Sequence, residues 1–202
     1  VHALLARVTR SHRRERTPGQ SLVEFALVLP LFLTVMLAII EFALTFNAVL
    51  SVNFASRTAA LLAAEGGSDV GTDCVVLRSI ESSIQLPANN ALIMSVEVYR
   101  ANTNGEMLGT ATMYDHTGTT ECELPGGVTF TLPYRRTQDG YPETTRCAVL
   151  AGCGGTHPTL EIVGVRITYH HSWVTPLRSF VGGYPGGLTF ARSNATRMEP
   201  VL

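Results

Sequence analysis

The apolar and polar positions divide the chain near residue 50. From Phe25 to Ile40 no residue is charged, and residues 22–40 are interrupted only by Glu24. Nineteen residues at helical rise span about 28 Å, close to the thickness of bilayer hydrocarbon. A buried core helix is usually shorter and keeps a polar face, which residues 25–40 lack. A secretory signal core of roughly 7–15 apolar residues should be followed closely by a small-residue cleavage site. Here apolar character resumes after Glu41 and runs to Leu50. The pattern therefore predicts a transmembrane helix.

Helical composition continues beyond Glu41 through residues 54–64, and Gly66-Gly67 ends it. A helix over residues 20–65 would be about 69 Å long, so its second half must stand outside the bilayer. Pro30 within the span predicts a kink rather than a break. Ala55, Ala59, Ala60, Ala63 and Ala64 permit close approach of another helix or a sheet, or of this chain's own domain.

Downstream, residues 73–85 read as a short helix, with Thr72 as a cap, Val76, Ile80 and Ile84 as its apolar stripe, and Pro87 as its stop. Residues 92–100 alternate, with Met94, Val96 and Val98 on one face. The turn Asn102-Thr103-Asn104-Gly105 then leads into 106–114, a hairpin signal. Residues 115–159 are rich in Gly, Pro, Thr and Cys and read as a long loop with one short strand at 128–132. The strongest strand is 160–173, with Val163, Val165, Ile167, Tyr169 and Trp173 on one face and Arg166, Thr168 and His170 on the other. An excursion over 176–187 precedes a last strand at 188–196. No internal repeat occurs. The expected fold is α+β: a long N-terminal helix, then a small disulfide-stapled domain with one short helix and an antiparallel sheet.

Charge adds an orientation. The formal net charge of −1 hides an asymmetry, because residues 1–19 carry +4 and the remainder −5. Basic residues beside a membrane helix are retained on the cytoplasmic side. The N-terminus is therefore expected inside and everything after residue 50 outside, and a nucleic-acid-binding arm is set aside. All fifteen basic residues are Arg, which reads as base composition rather than chemistry. Four cysteines in the outside part suit two disulfides. Cys147 and Cys153 bracket a short turn-rich segment, which favours that pair together with Cys74–Cys122. Spacing alone leaves three connectivities open.

Catalytic patterns do not occur. The chain has no Gly-rich phosphate loop, no Gly-x-Ser-x-Gly, no His-Glu-x-x-His and no Cys-x-x-Cys. His170 and His171, with His116 and His157, suggest a metal site only weakly, since neighbours on a strand point to opposite faces. Glu121 and Glu123 flank Cys122 in the loop region and read as solvated surface. Asn194-Ala195-Thr196 is a glycosylation sequon by pattern alone. No enzyme activity, cofactor, metal or small-molecule substrate is expected.

Glu24 remains, because a carboxylate near the start of a membrane helix needs a partner or a proton. It could lie among headgroups, favoured by the helix dipole. Alternatively, a cut between Gly19 and Gln20 would put a new α-amino group on Gln20, and Glu24 would share its helix face at i+4. Gly19 followed by Gln-Ser-Leu-Val-Glu-Phe, behind the basic Arg13-Arg14-Glu15-Arg16, resembles the prepilin cleavage pattern of type IV pilin-like proteins. The fuller run GQSLVEFALVLPLFLTVMLAIIEFALTFN, followed by ASRTAA, is similar to the TadE-type minor pilins (pseudopilins) of the tight-adherence, or Flp, pilus. The closing VGVRITYHHSWVTP and GGLTFARSNATRMEP resemble the end of that family, which often finishes near an Arg-x-Glu. The resemblance is strong over residues 19–65, fair over 160–200 and missing over 87–159.

It implies a basic leader at 1–19 and a long helix at 20–65, with its transmembrane part at 22–46 and an extension at 47–65. An extracytoplasmic domain then occupies 66–202. It further implies Gly19 and Gln20 as the processing site, Glu24 and Phe25 as assembly residues, and an aspartyl prepilin peptidase as processing enzyme. The implied partners are membrane lipid, other pilins and Tad assembly proteins. The implied location is the bacterial inner membrane, single-pass, with onward incorporation into a surface pilus. The competing expectation is a signal-anchored extracytoplasmic binding domain that keeps its N-terminus and has no pilus role.

Overall fold

The computed structural model describes residues 19–124, 126–150, 152–153, 159–176 and 186–199. Residues 1–18 of the expected leader, His157 and most of the 176–187 excursion lie outside these. Helix α1 (Gln20–Gly66) is continuous over 47 residues, about 70 Å at helical rise. It runs through Pro30, where the Thr34 hydroxyl donates to the Pro30 carbonyl at 2.8 Å. It stops at Gly67, whose φ of 50° suits glycine and whose N–H closes on the Ala63 carbonyl. A Cβ at position 67 would also lie 2.8 Å from that of Ala148.

Burial splits α1 in two. Its buried residues are Glu41, Ala48, Val52, Ala55, Ser56, Ala59, Ala60, Ala63 and Ala64, and none precedes Glu41. Their three- and four-residue spacing makes one face. The small residues therefore pack on the chain's own domain, where short side chains let the sheet and α2 (Thr72–Ser83) approach closely.

α2 buries Val76, Leu77 and Ile80, with Ile84 just beyond its end. Thr72 is not its cap, contrary to expectation. Thr72 lies inside the helix with its hydroxyl on the Asp69 carbonyl, and Gly71 takes the cap position at φ 90°. The free N–H groups of Gly71 and Asp73 donate instead to the Glu143 carboxylate, at 2.9 and 3.1 Å. An anion at a helix N-terminus satisfies both the unpaired donors and the dipole.

Seven strands follow among the described residues: β1 (Ile93–Ala101), β2 (Met107–Asp115), β3 (Thr120–Leu124), β4 (Val128–Leu132), β5 (Arg135–Asp139), β6 (Ile162–Ser172) and β7 (Gly187–Arg197). Five form an antiparallel sheet in the order β5-β2-β1-β6-β7, and β3 with β4 form a separate hairpin. The expected loop at 115–159 thus contains three strands, and Glu121 and Glu123 are exposed residues of β3 rather than of a loop. Met94 is also corrected. A register shift between Ile93 and Ser95 against β6 leaves Met94 half exposed while Ile93 is buried. An extra residue at a bulge breaks the two-residue period there.

α1 and α2 cover one face of the sheet, and the main core lies between them, including Val96, Val98, Val163, Val165, Ile167 and Tyr169. On the other face Tyr99 packs with Ala101 and Ala111. Its ring lies over Gly164, where a Cβ would fall 2.4 Å from it. One disulfide, Cys74–Cys122, fastens α2 to β3; the other, Cys147–Cys153, closes a short loop. After β7 the chain docks back on α1, with Met198 buried and the Glu199 N–H on the Ala64 carbonyl at 3.1 Å.

Candidate membrane and assembly site

Residues 20–40 of α1 pack against nothing described, and large apolar side chains point outward all round, among them Leu22, Phe25, Leu27, Leu31, Phe32, Val35 and Ile39. Such a helix needs an apolar surrounding, which lipid or other helices can supply. It is the one described helix long and apolar enough to cross a membrane. Two carboxylates bracket its uncharged run, Glu24 and Glu41, about 26 Å apart along the axis.

At the N-terminal end, Gly19 is a turn residue and α1 starts at Gln20. The Val23 N–H donates to the Gly19 carbonyl at 3.2 Å, closing the first turn. Gln20 and Glu24 come together, Nε2 to Oε1 at 3.1 Å, and Phe25 is exposed beside them. Gly19 has φ −102°, and nothing lies within 4 Å of a Cβ built there. The described residues therefore place no steric demand for glycine at that position.

At the other end is a residue that sequence reasoning passed over. Glu41, 4% exposed, is the first side chain of α1 to be buried. Its carboxylate accepts from the backbone N–H of Thr175 at 2.7 Å and of Val174 at 3.1 Å, and His171 Nε2 lies 3.3 Å away. His171 of β6 and two backbone donors just after that strand thus clamp the sheet to the helix where the free half ends. The signal was a lone acid between Ile40 and Phe42, which a folded chain can bury only with partners. Higher up, Asn194 of the sequon donates from Nδ2 to the Ser56 hydroxyl at 2.7 Å, a second tie between β7 and α1. His170, on the opposite strand face from His171, meets Thr189 at 2.9 Å.

The domain's other buried acids are engaged as well. Asp73 takes Arg146 and the Tyr114 hydroxyl. Glu161 takes Arg100, the Tyr141 hydroxyl and the Cys147 N–H. Burial first, and then the neighbouring carboxylates, push the Tyr114 and Tyr141 hydroxyls up, so both remain donors. These groups hold strands and loops together. Among the described residues no three His, Cys, Asp or Glu side chains gather as a metal-ligand set.

No curated protein and no solved structure matches the chain. Residues 19–61, which begin at the Gly19 turn, cover the free half of α1 and enter the half packed on the domain, match the family model described as TadE-like protein.

Proposed function

We propose that this chain is a structural subunit of a Tad pilus system, a minor pilin-like protein that is inserted in the inner membrane and processed by a prepilin peptidase. The observation that carries this reading is the division of α1. One half is keyed into its own domain from Glu41 onward, and the other is apolar all round and keyed to no described residue. A helix of that kind can anchor in lipid and later exchange lipid for the helices of other subunits without refolding the domain. The spanning part is residues 22–40, because the clamp at Glu41 brings backbone and polar groups of the domain to that height, and these do not enter hydrocarbon.

A cut between Gly19 and Gln20 explains a glycine that the fold leaves unexplained. A peptidase binding extended backbone next to a helix benefits from a residue without a side chain. The contact already present between Gln20 and Glu24 puts the new α-amino group on the turn that carries the carboxylate. The outward face of the extension, Phe42, Phe46, Leu50 and Phe54 at four-residue spacing, offers a further apolar surface to neighbouring subunits. The disulfides suit a domain outside the cytoplasm.

Expression in the host with intact-mass measurement tests the reading. The wild type should be a mature chain starting at Gln20. Gly19→Val should keep its leader and stay out of pili, while Glu24→Ala should be inserted but poorly incorporated. A wild-type protein retaining residues 1–19 would instead favour a signal-anchored domain.

A further inference from the structure

We infer that the domain makes a second membrane contact: the end of the sheet carrying Trp173 and Val174 rests in the headgroup–acyl boundary beside α1. This rests on the spanning reading of residues 22–40.

The height of this end is set by the Glu41 clamp. The N–H groups of Val174 and Thr175 bind the carboxylate of a residue one position beyond the uncharged run 25–40. If that run lies in hydrocarbon, whatever is bonded to Glu41 lies at its edge. The surface found there suits that depth. Val174 is 69% exposed, Phe42 is 72% exposed, and Leu188, paired with His171 across β6 and β7, is 43% exposed. At the β6–β7 edge of this end, the described residues 172–176 and 187–191 include no charged side chain, while Asp115 of β2 and Arg135 of β5 lie farther across the same end, away from this edge. Trp173 sets its ring edge-on to His171 at 6.1 Å between centroids. Indole, an apolar ring with one polar N–H, partitions to the membrane interface. The Glu41 carboxylate itself is covered by donors and so tolerates the loss of water.

Lipid is the occupant because the same helix that crosses the bilayer carries the clamp. With contact at two points, the domain would be held at a fixed tilt over the membrane instead of swivelling on a single helix.

Trp173 is the only tryptophan in the chain and serves as the probe. The full-length protein would be reconstituted in phosphatidylcholine–phosphatidylglycerol vesicles containing lipids brominated either near the headgroup or near the chain end. Trp173 emission should be lost to the shallow quencher, little affected by the deep one, and protected from aqueous acrylamide. A Trp173→Phe/Leu31→Trp variant should be quenched most by the deep lipid, which reports the span separately. If position 31 is quenched but Trp173 answers only to acrylamide, the contact is refuted and the span stands. Shielding of Trp173 from lipid and acrylamide alike would mean that protein covers it, which also refutes the contact. Absence of deep quenching at position 31 would overturn both readings.

Discussion

Arg146 and Asp73, 73 residues apart, form a buried ion pair at 2.6 Å that joins the start of α2 to the segment after β5. The guanidinium also donates to the Tyr141 carbonyl at 3.3 Å and lies 5.3 Å from the centre of that residue's ring. Asp73 in turn accepts from the Tyr114 hydroxyl of β2 at 2.7 Å. Arg146 Nε and Nη1 have no hydrogen-bond partner among the described residues, so the pair is held in place by its surroundings rather than fully solvated by them.

Removing either partner strands the other charge in the core. Arg146→Ala or Asp73→Ala should each destabilise the domain by roughly 3–5 kcal/mol. The double replacement Asp73→Leu/Arg146→Met should cost less than the sum of the single changes, because no lone charge remains. Urea unfolding of the detergent-solubilised protein measures this, and strictly additive losses would rule out the coupling.

Glu143 is the distant cap of α2, bonding the N–H groups of Gly71 and Asp73. Glu143→Ala should cost about 1 kcal/mol, the usual worth of a lost cap. Faster hydrogen exchange should be confined to the first turn of α2. Thr72→Val, by contrast, should leave those two amides protected. Equal exposure of them in both variants would return the cap to Thr72.

The contact between Glu81 and His116, at 2.9 Å, predicts an acid limb in stability. Burial opposes ionisation of Glu81, but His116 first, then the nearby Tyr134 hydroxyl and last Asn90 at 2.6 Å, outweigh it and hold the carboxyl below the usual range. A depressed folded value means that this contribution is complete above the unfolded carboxyl pKa of about 4.3 and is lost as pH falls through the folded value. Glu81→Gln should flatten the loss of stability below that pH. An unchanged slope of urea midpoint against pH would exclude the mechanism.

The two disulfides should differ in worth. Cys74–Cys122 spans 48 residues and Cys147–Cys153 spans 6. By chain entropy the first should contribute about 4 kcal/mol and the second about 2. Paired Cys→Ser variants, one disulfide at a time, compared by thermal unfolding under non-reducing conditions, check the order.

What could be read from the sequence was what repeats locally. The apolar run before Glu41, the Gly66-Gly67 stop, the Val76–Ile80–Ile84 stripe and the alternation of β6 are each set by neighbours within a few residues, and the α+β class follows from them. The proposed processing and assembly residues Gly19, Gln20, Glu24 and Phe25 lie in one contiguous stretch with the helix that follows them, so that proposal rests on local pattern alone. β5 could not be, because all five of its residues are exposed and leave no alternation. Nor could the bulge at Met94, which exists only as a mismatch in pairing with β6.

The junction shows the division most plainly. The residues around Glu41 make it one more interruption in an apolar helix. Its role comes from Val174 and Thr175, 133 and 134 residues away. A carboxylate can be buried there only because the fold brings three donors to it, and no local pattern along the chain encodes which donors arrive. The sequence by itself determined that a long apolar helix leads the domain. The tertiary structure decided where that helix stops being free, because burial of a charge depends on partners that only folding assembles.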